Sequence, residues 1–284
     1  MNIAGILRAG AFSPNHIGND AAILNMVAEQ LRKRGVMMKI YSEEQLLAGD
    51  VSENIIVNMC RETRSIELLQ KYEDNGRLII NSGYGIENCV RERMTRILIG
   101  SGIPFPESMI VNTNEVVKNR LEKAGYGQCW IKRADMHSQH KEDVSYVRHA
   151  EEAQELLQEY FYRGIKRATI NKHLEGDLVK FYGVKGQPFF FIFYPFDKDS
   201  TLNSHNVLGP RQKNTPLEKT ILDICHHASD ELNVDIFGGE CIVDKEGKVW
   251  LIDFNDWPSY APCRGEAASF IAKNIISSIK NYNQ

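Results

Sequence analysis

The stretch from Gly238 to Pro258, GGECIVDKEGKVWLIDFNDWP, carries the oxygen donors best suited to chemistry in this chain. Apolar runs on either side of Asp244 to Lys248 predict an antiparallel hairpin turning about Gly247. That hairpin sets Glu240 across from the Asp253 to Asn255 end of its partner strand. Strand side chains alternate with period two, so Asp253 and Asn255 share a face. Three oxygen-bearing side chains then converge. Hard divalent cations, magnesium first and manganese as a substitute, take a few carboxylates and complete their shell with water and phosphate oxygens. Glu240, Asp253 and Asn255 would supply such a partial shell. An acidic hairpin can also do no more than keep a sheet edge soluble. Against that, Glu240 and Asp253 lie among Ile242, Val243, Leu251, Ile252 and Phe254, where an unpaired carboxylate is costly unless something coordinates it.

Elements that would position these groups follow from the periodicity. Asn2 to Leu7 reads as a buried strand, and a turn-rich loop from Arg8 to Gly18 follows it, with Pro14, Asn15 and His16. A helix capped by Asn19 or Asp20 has Ile23, Leu24, Val27 and Leu31 at helical spacing and stops at Gly35. Met37–Tyr41, Ile55–Met59 and Leu78–Ile80 are further strands, with helix around Ile66 to Tyr72. This alternation argues a parallel sheet with crossover helices for residues 1 to about 86. A helix is expected over Asn88–Ile99, and the prolines of Gly102-Ile103-Pro104-Phe105-Pro106 then force an extended connection. Beyond it the pattern predicts a small α/β lobe: helix Asn114–Ala124, strand Gln128–Arg133, strand Val144–Val147 and helix Ala150–Tyr162. From Ala168 onward, apolar runs joined by glycine turns predict antiparallel hairpins around Gly186 and Gly247.

Composition narrows the class. At 284 residues, 43% hydrophobic and 25% charged, with 9 Pro and 21 Gly, the chain is globular and neither fibrous nor low in complexity. A net charge of −3 gives no electrostatic reason to expect nucleic acid. No apolar run is long enough for a membrane span, and the first residues lack the basic and apolar regions of a signal peptide, so a cytoplasmic protein is expected. Six cysteines without a CxxC pair fit reduced thiols, leaving oxygen donors for any metal.

Asp253-Phe254-Asn255 with Pro258 resembles the metal-binding strand of the ATP-grasp superfamily, in which a carboxylate, a hairpin and an acidic-apolar-Asn triplet precede a proline. Here Glu240 stands where Asp is usual, the triplet begins with Asp rather than Glu, and Asp256, Trp257 and Ser259 replace small residues. The resemblance covers about 200 residues from Asn81 to the end. It implies α/β architecture: an N-terminal parallel-sheet substrate domain (1–86), a central lobe (87–172) and a C-terminal lobe with the metal site (173–284), the two α+β lobes enclosing ATP. It places Arg91 where the family has its first phosphate-binding cation, with Arg93 as a neighbour, and Lys132, in Trp130-Ile131-Lys132, on the α- and β-phosphates. Around Lys172, His173 and Leu174 the family's interlobe hinge reads adenine by its backbone, and Glu175 or Asp177 would hold the ribose. Lys180 either points into the cleft toward phosphate or lies on a wet face. Arg211 and Lys213 fall where a cation meets the transferred γ-phosphoryl, and Arg264 would clamp a substrate carboxylate or phosphate bidentately.

The resemblance implies MgATP as cofactor and a small-molecule substrate. The larger reaction class is the ADP-forming ligase, joining a carboxylate to an amine or thiol through an acylphosphate. The alternative is a kinase that phosphorylates a hydroxyl, since the loop Arg133 to Lys141 lacks glycine and holds His137 and His140, as in the inositol-phosphate kinase branch. An ordinary polar turn with two exposed histidines would look the same, and a nucleotide-binding protein without turnover is a third reading. Relatives often form homodimers, and Phe189–Phe193 is either a core strand or part of such an interface.

Overall fold

A computed structural model describes residues 1–12, 17–137, 140–195 and 215–284. The chain begins with four parallel strands, β1 (Asn2–Ile6), β2 (Met37–Tyr41), β3 (Ile55–Asn58) and β4 (Leu78–Ile80), in spatial order β2-β1-β3-β4. β3 is buried along its whole length, as a strand covered on both faces must be. Helix α1 (Ile17–Arg32) buries Ile23, Leu24, Val27 and Leu31 against the sheet, the face its periodicity predicts. Two further helices are α2 (Glu43–Ala48) and α3 (Thr63–Asp74). At six residues α2 is too short for periodicity to show, yet Ser42 and Gln45 form a capping box at its start.

The helix expected over Asn88–Ile99 runs from Arg91 to Gly100, and a short helix that the sequence does not predict precedes it. α4 (Gly83–Asn88) starts at Ser82, whose side chain accepts from Gly85 N, and α5 (Arg91–Gly100) starts after Val90, whose extended backbone separates them. The second sheet is antiparallel: β5 (Ser108–Asn112), β6 (Cys129–Arg133), β7 (Val144–Val147) and β8 (Arg167–Lys172), in order β5-β8-β6-β7. Against it pack α6 (Lys118–Lys123) and α7 (Ala150–Tyr162) through Leu121, Ala153, Leu157 and Tyr160. α6 starts four residues later than the sequence suggests, because Glu115 accepts from Asn112 N and the chain turns before it coils.

The third sheet holds β9 (Asp177–Val184), β10 (Phe190–Phe193), β11 (Ile236–Val243) and β12 (Val249–Asp256) in order β10-β9-β11-β12, all antiparallel. Both expected hairpins, β9–β10 about Gly186 and β11–β12 about Gly247, are present. α8 (Pro216–Leu232), with its Thr215–Glu218 capping box, covers one face through Ile221, Cys225 and Leu232, and α5 adds Met94 and Leu98 to the same core. The last helix, α9 (Arg264–Tyr282), returns to the first sheet: Ala267, Ile271 and Ile275 share a core with Ile3, Leu24 and Val27. Phe189, just before β10, and Ile192 within it lie in core clusters, and Phe190 and Phe191 pack half-buried against those clusters. No described helix is long and apolar enough to cross a membrane.

Candidate functional site

Hairpin register brings the carboxylates together. Glu240 pairs directly with Asp253 across β11 and β12, and with Lys180 across β11 and β9, so Lys180, Glu240 and Asp253 form one row over three strands. The ladder slips by one residue after Glu240, which keeps the pairing despite the unequal arms of the hairpin. Lys180 Nζ lies 2.7 Å from Glu240 Oε1, and Asn255 Nδ2 donates to Asp253 Oδ2 at 3.2 Å. Lys180 therefore faces the carboxylates. Among the described residues no group of three or more His, Cys, Asp or Glu gathers as metal ligands. The donor set at this row is two carboxylates and one amide oxygen, which suits a cation that keeps water and phosphate oxygens in its shell.

Two cations reach the row from other elements. Arg91, first residue of α5, sets Nη2 3.2 Å from Asp253 Oδ1, while its Nε and Nη1 are buried without a hydrogen-bond partner. Arg93 instead pairs with Glu87 at the surface. Lys132 leaves β6 and donates to Ile252 O at 3.1 Å, only 8% exposed. Burial pushes its ammonium down to about 8, with Arg91 adding to the effect and Asp253 and Glu240 opposing it. For Asp253 burial is the largest single influence and acts upward. Arg91, Lys132 and the Asn255 hydrogen bond outweigh it, so the carboxyl titrates below its ordinary range.

At the hinge, Lys172 ends β8, donates its backbone N–H to Glu107 O, and pairs with Glu107 through Nζ at 3.2 Å. His173 N donates to Gln128 O, and its Nδ1 accepts from Trp130 Nε1 at 3.1 Å, beside Tyr146. Leu174 is half-buried and Glu175 exposed, whereas Asp177 is buried at the start of β9, opposite Val243. Arg264 opens α9 and donates from Nη2 to Asn19 Oδ1 at 2.8 Å and from Nε to Ser259 O, at the α1 end rather than in the carboxylate row. Arg211 and Lys213 lie outside the described residues, as do Pro14, Asn15, His16, Ser138 and Gln139.

A further charged group gathers at the end of β12. Arg8, just after β1, donates to Met59 O, Asp20 Oδ2 and Trp257 O. Arg61, after β3, donates from Nη2 to both the side chain and the backbone oxygen of Asp256. Glu43 holds both loops in place by accepting from Ala9 N, Arg61 N and Glu62 N. His137 is 7% exposed, which does not fit the reading of that loop as a turn with exposed histidines, and burial, then Arg61, Arg8 and Arg91, push it down to about 3 despite Asp256. Arg8 and Arg61 both follow the carboxyl ends of parallel strands, where ligands of such sheets gather.

Comparisons bear on the whole architecture. No family model and no curated protein matches the sequence. Solved structures do. A D-alanine–D-alanine ligase from Bacillus anthracis, complexed with ATP, is 15% identical over 100% of this chain and 99% of its own, with a TM-score of 0.72. D-alanyl-alanine synthetase A from Vibrio cholerae is 9% identical over 99% and 98%, TM-score 0.72. A RimK domain ATP-grasp protein from Sphaerobacter thermophilus is 12% identical over 97% and 100%, TM-score 0.69. One parallel and two antiparallel sheets, matched end to end by these structures, establish that the chain has the fold of the ATP-grasp superfamily.

Proposed function

We propose that the chain is an ADP-forming ligase that activates a small carboxylic acid with MgATP and joins it to an amine or thiol. The observation that carries this reading is the row Lys180–Glu240–Asp253 with Asn255 beside it, met by Arg91 and Lys132 from two other elements. Glu240, Asp253 and Asn255 would hold the magnesium, which, when bound, neutralises phosphate oxygens and assists departure of ADP. Lys132 and Arg91 would bind phosphate oxygens. The two unpartnered edges of the Arg91 guanidinium suit that role, because its third edge is already fixed by Asp253. Lys180, which pairs with Glu240, would be a further phosphate ligand.

His173, with Lys172 and Leu174, would line the adenine end, and Glu175 is the open carboxylate there for ribose hydroxyls, Asp177 being buried. Arg211 and Lys213 stay candidates for the γ-phosphoryl. Arg264 would meet substrate only if it leaves Asn19. Structural neighbours carry ligase names, D-cycloserine synthetase among them, which supports the acyl-transfer reading over the kinase.

The test is ADP and phosphate release from MgATP by the purified protein against pooled acids with amines and, separately, polyols. Equal ADP and free phosphate, appearing only with acid and amine together, supports the ligase. ADP without free phosphate, dependent on a hydroxyl compound alone, overturns it in favour of the kinase.

A further inference from the structure

The carboxylate row does not stop at Lys180. Across β9 and β10 Lys180 pairs with Phe193, so the row runs Phe193, Lys180, Glu240, Asp253 over four strands. The next row on the same face runs Phe191, Tyr182, Gly238, Asn255. The opposite face of these strands serves the core: Phe181 and Phe190 stack with ring centroids 6.1 Å apart, and Phe181 packs with Phe237 and Phe254. Tyr182, Phe191 and Phe193 are half-buried, and Phe193 belongs to none of the four core clusters of described residues.

These three rings make one surface. Tyr182 and Phe193 lie nearly parallel, 14° apart with centroids at 6.1 Å, and Phe191 stands 6.0 Å from Phe193 and 6.4 Å from Tyr182. Gly238 keeps that surface continuous with the metal residues. A Cβ there would lie 2.8 Å from both Tyr182 Cδ1 and Pro258 Cγ, so those two side chains close over the glycine. The apolar surface thereby reaches Asn255, two strands from Tyr182 and about 10 Å away at strand spacing. The nucleotide and metal roles assigned to this row use charged and amide groups and leave the rings unused. Building on the ligase reading, we propose that the acid activated here carries an aromatic ring, which lies on Tyr182, Phe191 and Phe193 while its carboxylate sits at the Asn255 end of the metal row. Aromatic pairs attract beyond the area they bury, so two near-parallel rings favour a planar group over a puckered one of similar size.

The test uses the full chain with a non-hydrolysable MgATP analogue and isothermal titration of three probes: 3-phenylpropionate, 3-cyclohexylpropionate and propionate. 3-Phenylpropionate should bind at least about tenfold tighter than propionate and at least about threefold tighter than the cyclohexyl acid. Phe193→Leu should remove the preference for phenyl over cyclohexyl and leave affinity for the analogue unchanged. A cyclohexyl acid or propionate that binds the unsubstituted protein as tightly as the phenyl acid, or a phenyl preference that survives Phe193→Leu, overturns the proposal. Because the comparison within the unsubstituted protein needs no variant, it decides the matter even if Phe193→Leu fails to fold. Absence of analogue binding overturns the MgATP reading and this proposal with it, whereas analogue binding without an aromatic preference overturns this proposal alone.

Discussion

Replacing Lys132 with methionine should make the metal- and nucleotide-free chain more stable near neutral pH and, if the proposed phosphate role holds, weaken its binding of MgATP. The lysine's displacement from 10.5 to about 8 is caused first by burial and then by Arg91. It corresponds to about 3 kcal/mol by which the folded state disfavours the charged form. Below pH 8 the group is protonated in both folded and unfolded chains, so this cost is present in full. As pH rises from 8 to 10.5 the unfolded chain binds more protons, stability rises, and the cost disappears. Methionine has similar length and no charge, but it gives up the hydrogen bond to Ile252 O, worth about 1–2 kcal/mol. The net gain at pH 7 is about 1–2 kcal/mol, at about 2–4 °C of Tm per kcal/mol for a chain of this size. Thermal unfolding in chelator at pH 7 and 9.5 checks it: Lys132→Met should melt higher than the parent at pH 7, with the gap closing at pH 9.5. Titration with MgATP should show affinity reduced by about 10-fold or more. A lower Tm at pH 7 together with undiminished MgATP binding would refute both the burial argument and the phosphate role.

Other substitutions probe the same frame. Glu240→Gln should reduce MgATP turnover about 100-fold or more without unfolding the chain, read by ADP release and circular dichroism. Gly239→Ala places a Cβ 2.2 Å from Asp253 O, so β12 must move away from β11. It should lower both Tm and metal-dependent turnover, and an unchanged Tm would contradict the strand register. Asn81 is 1% exposed, accepts from Asp235 N and Ile236 N, and donates to Ile236 O, tying the strand β4 end to β11. Asn81→Ala should therefore cost about 2–4 kcal/mol in denaturant unfolding. His137, pushed down to about 3 by burial and then Arg61, should show no histidine titration between pH 5 and 8 by nitrogen NMR. A midpoint near 6.5 would place it in water.

How much could be read in advance depended on range. Local patterns carried far: period-two alternation put Asp253 and Asn255 on one face, the Gly247 turn set Glu240 opposite Asp253, and helical spacing marked the buried side of α1. Short or broken elements were not legible, because six residues of α2 show no period and the split between α4 and α5 is a single extended residue, Val90. Lys180 lies against Glu240, 60 positions away, a pairing that a strand's own alternation cannot foretell. The sequence by itself determined the fold class, the hairpin with its converging oxygens and the apolar strand from which Lys132 emerges. Only the tertiary structure decided that Arg91 and Lys132 meet that hairpin, that α9 returns to the first sheet, and that Arg8 and Arg61 meet at Asp256. The physical reason is that burial and charge pairing are properties of contacts between elements, and those contacts exist only once each apolar face has found its partner.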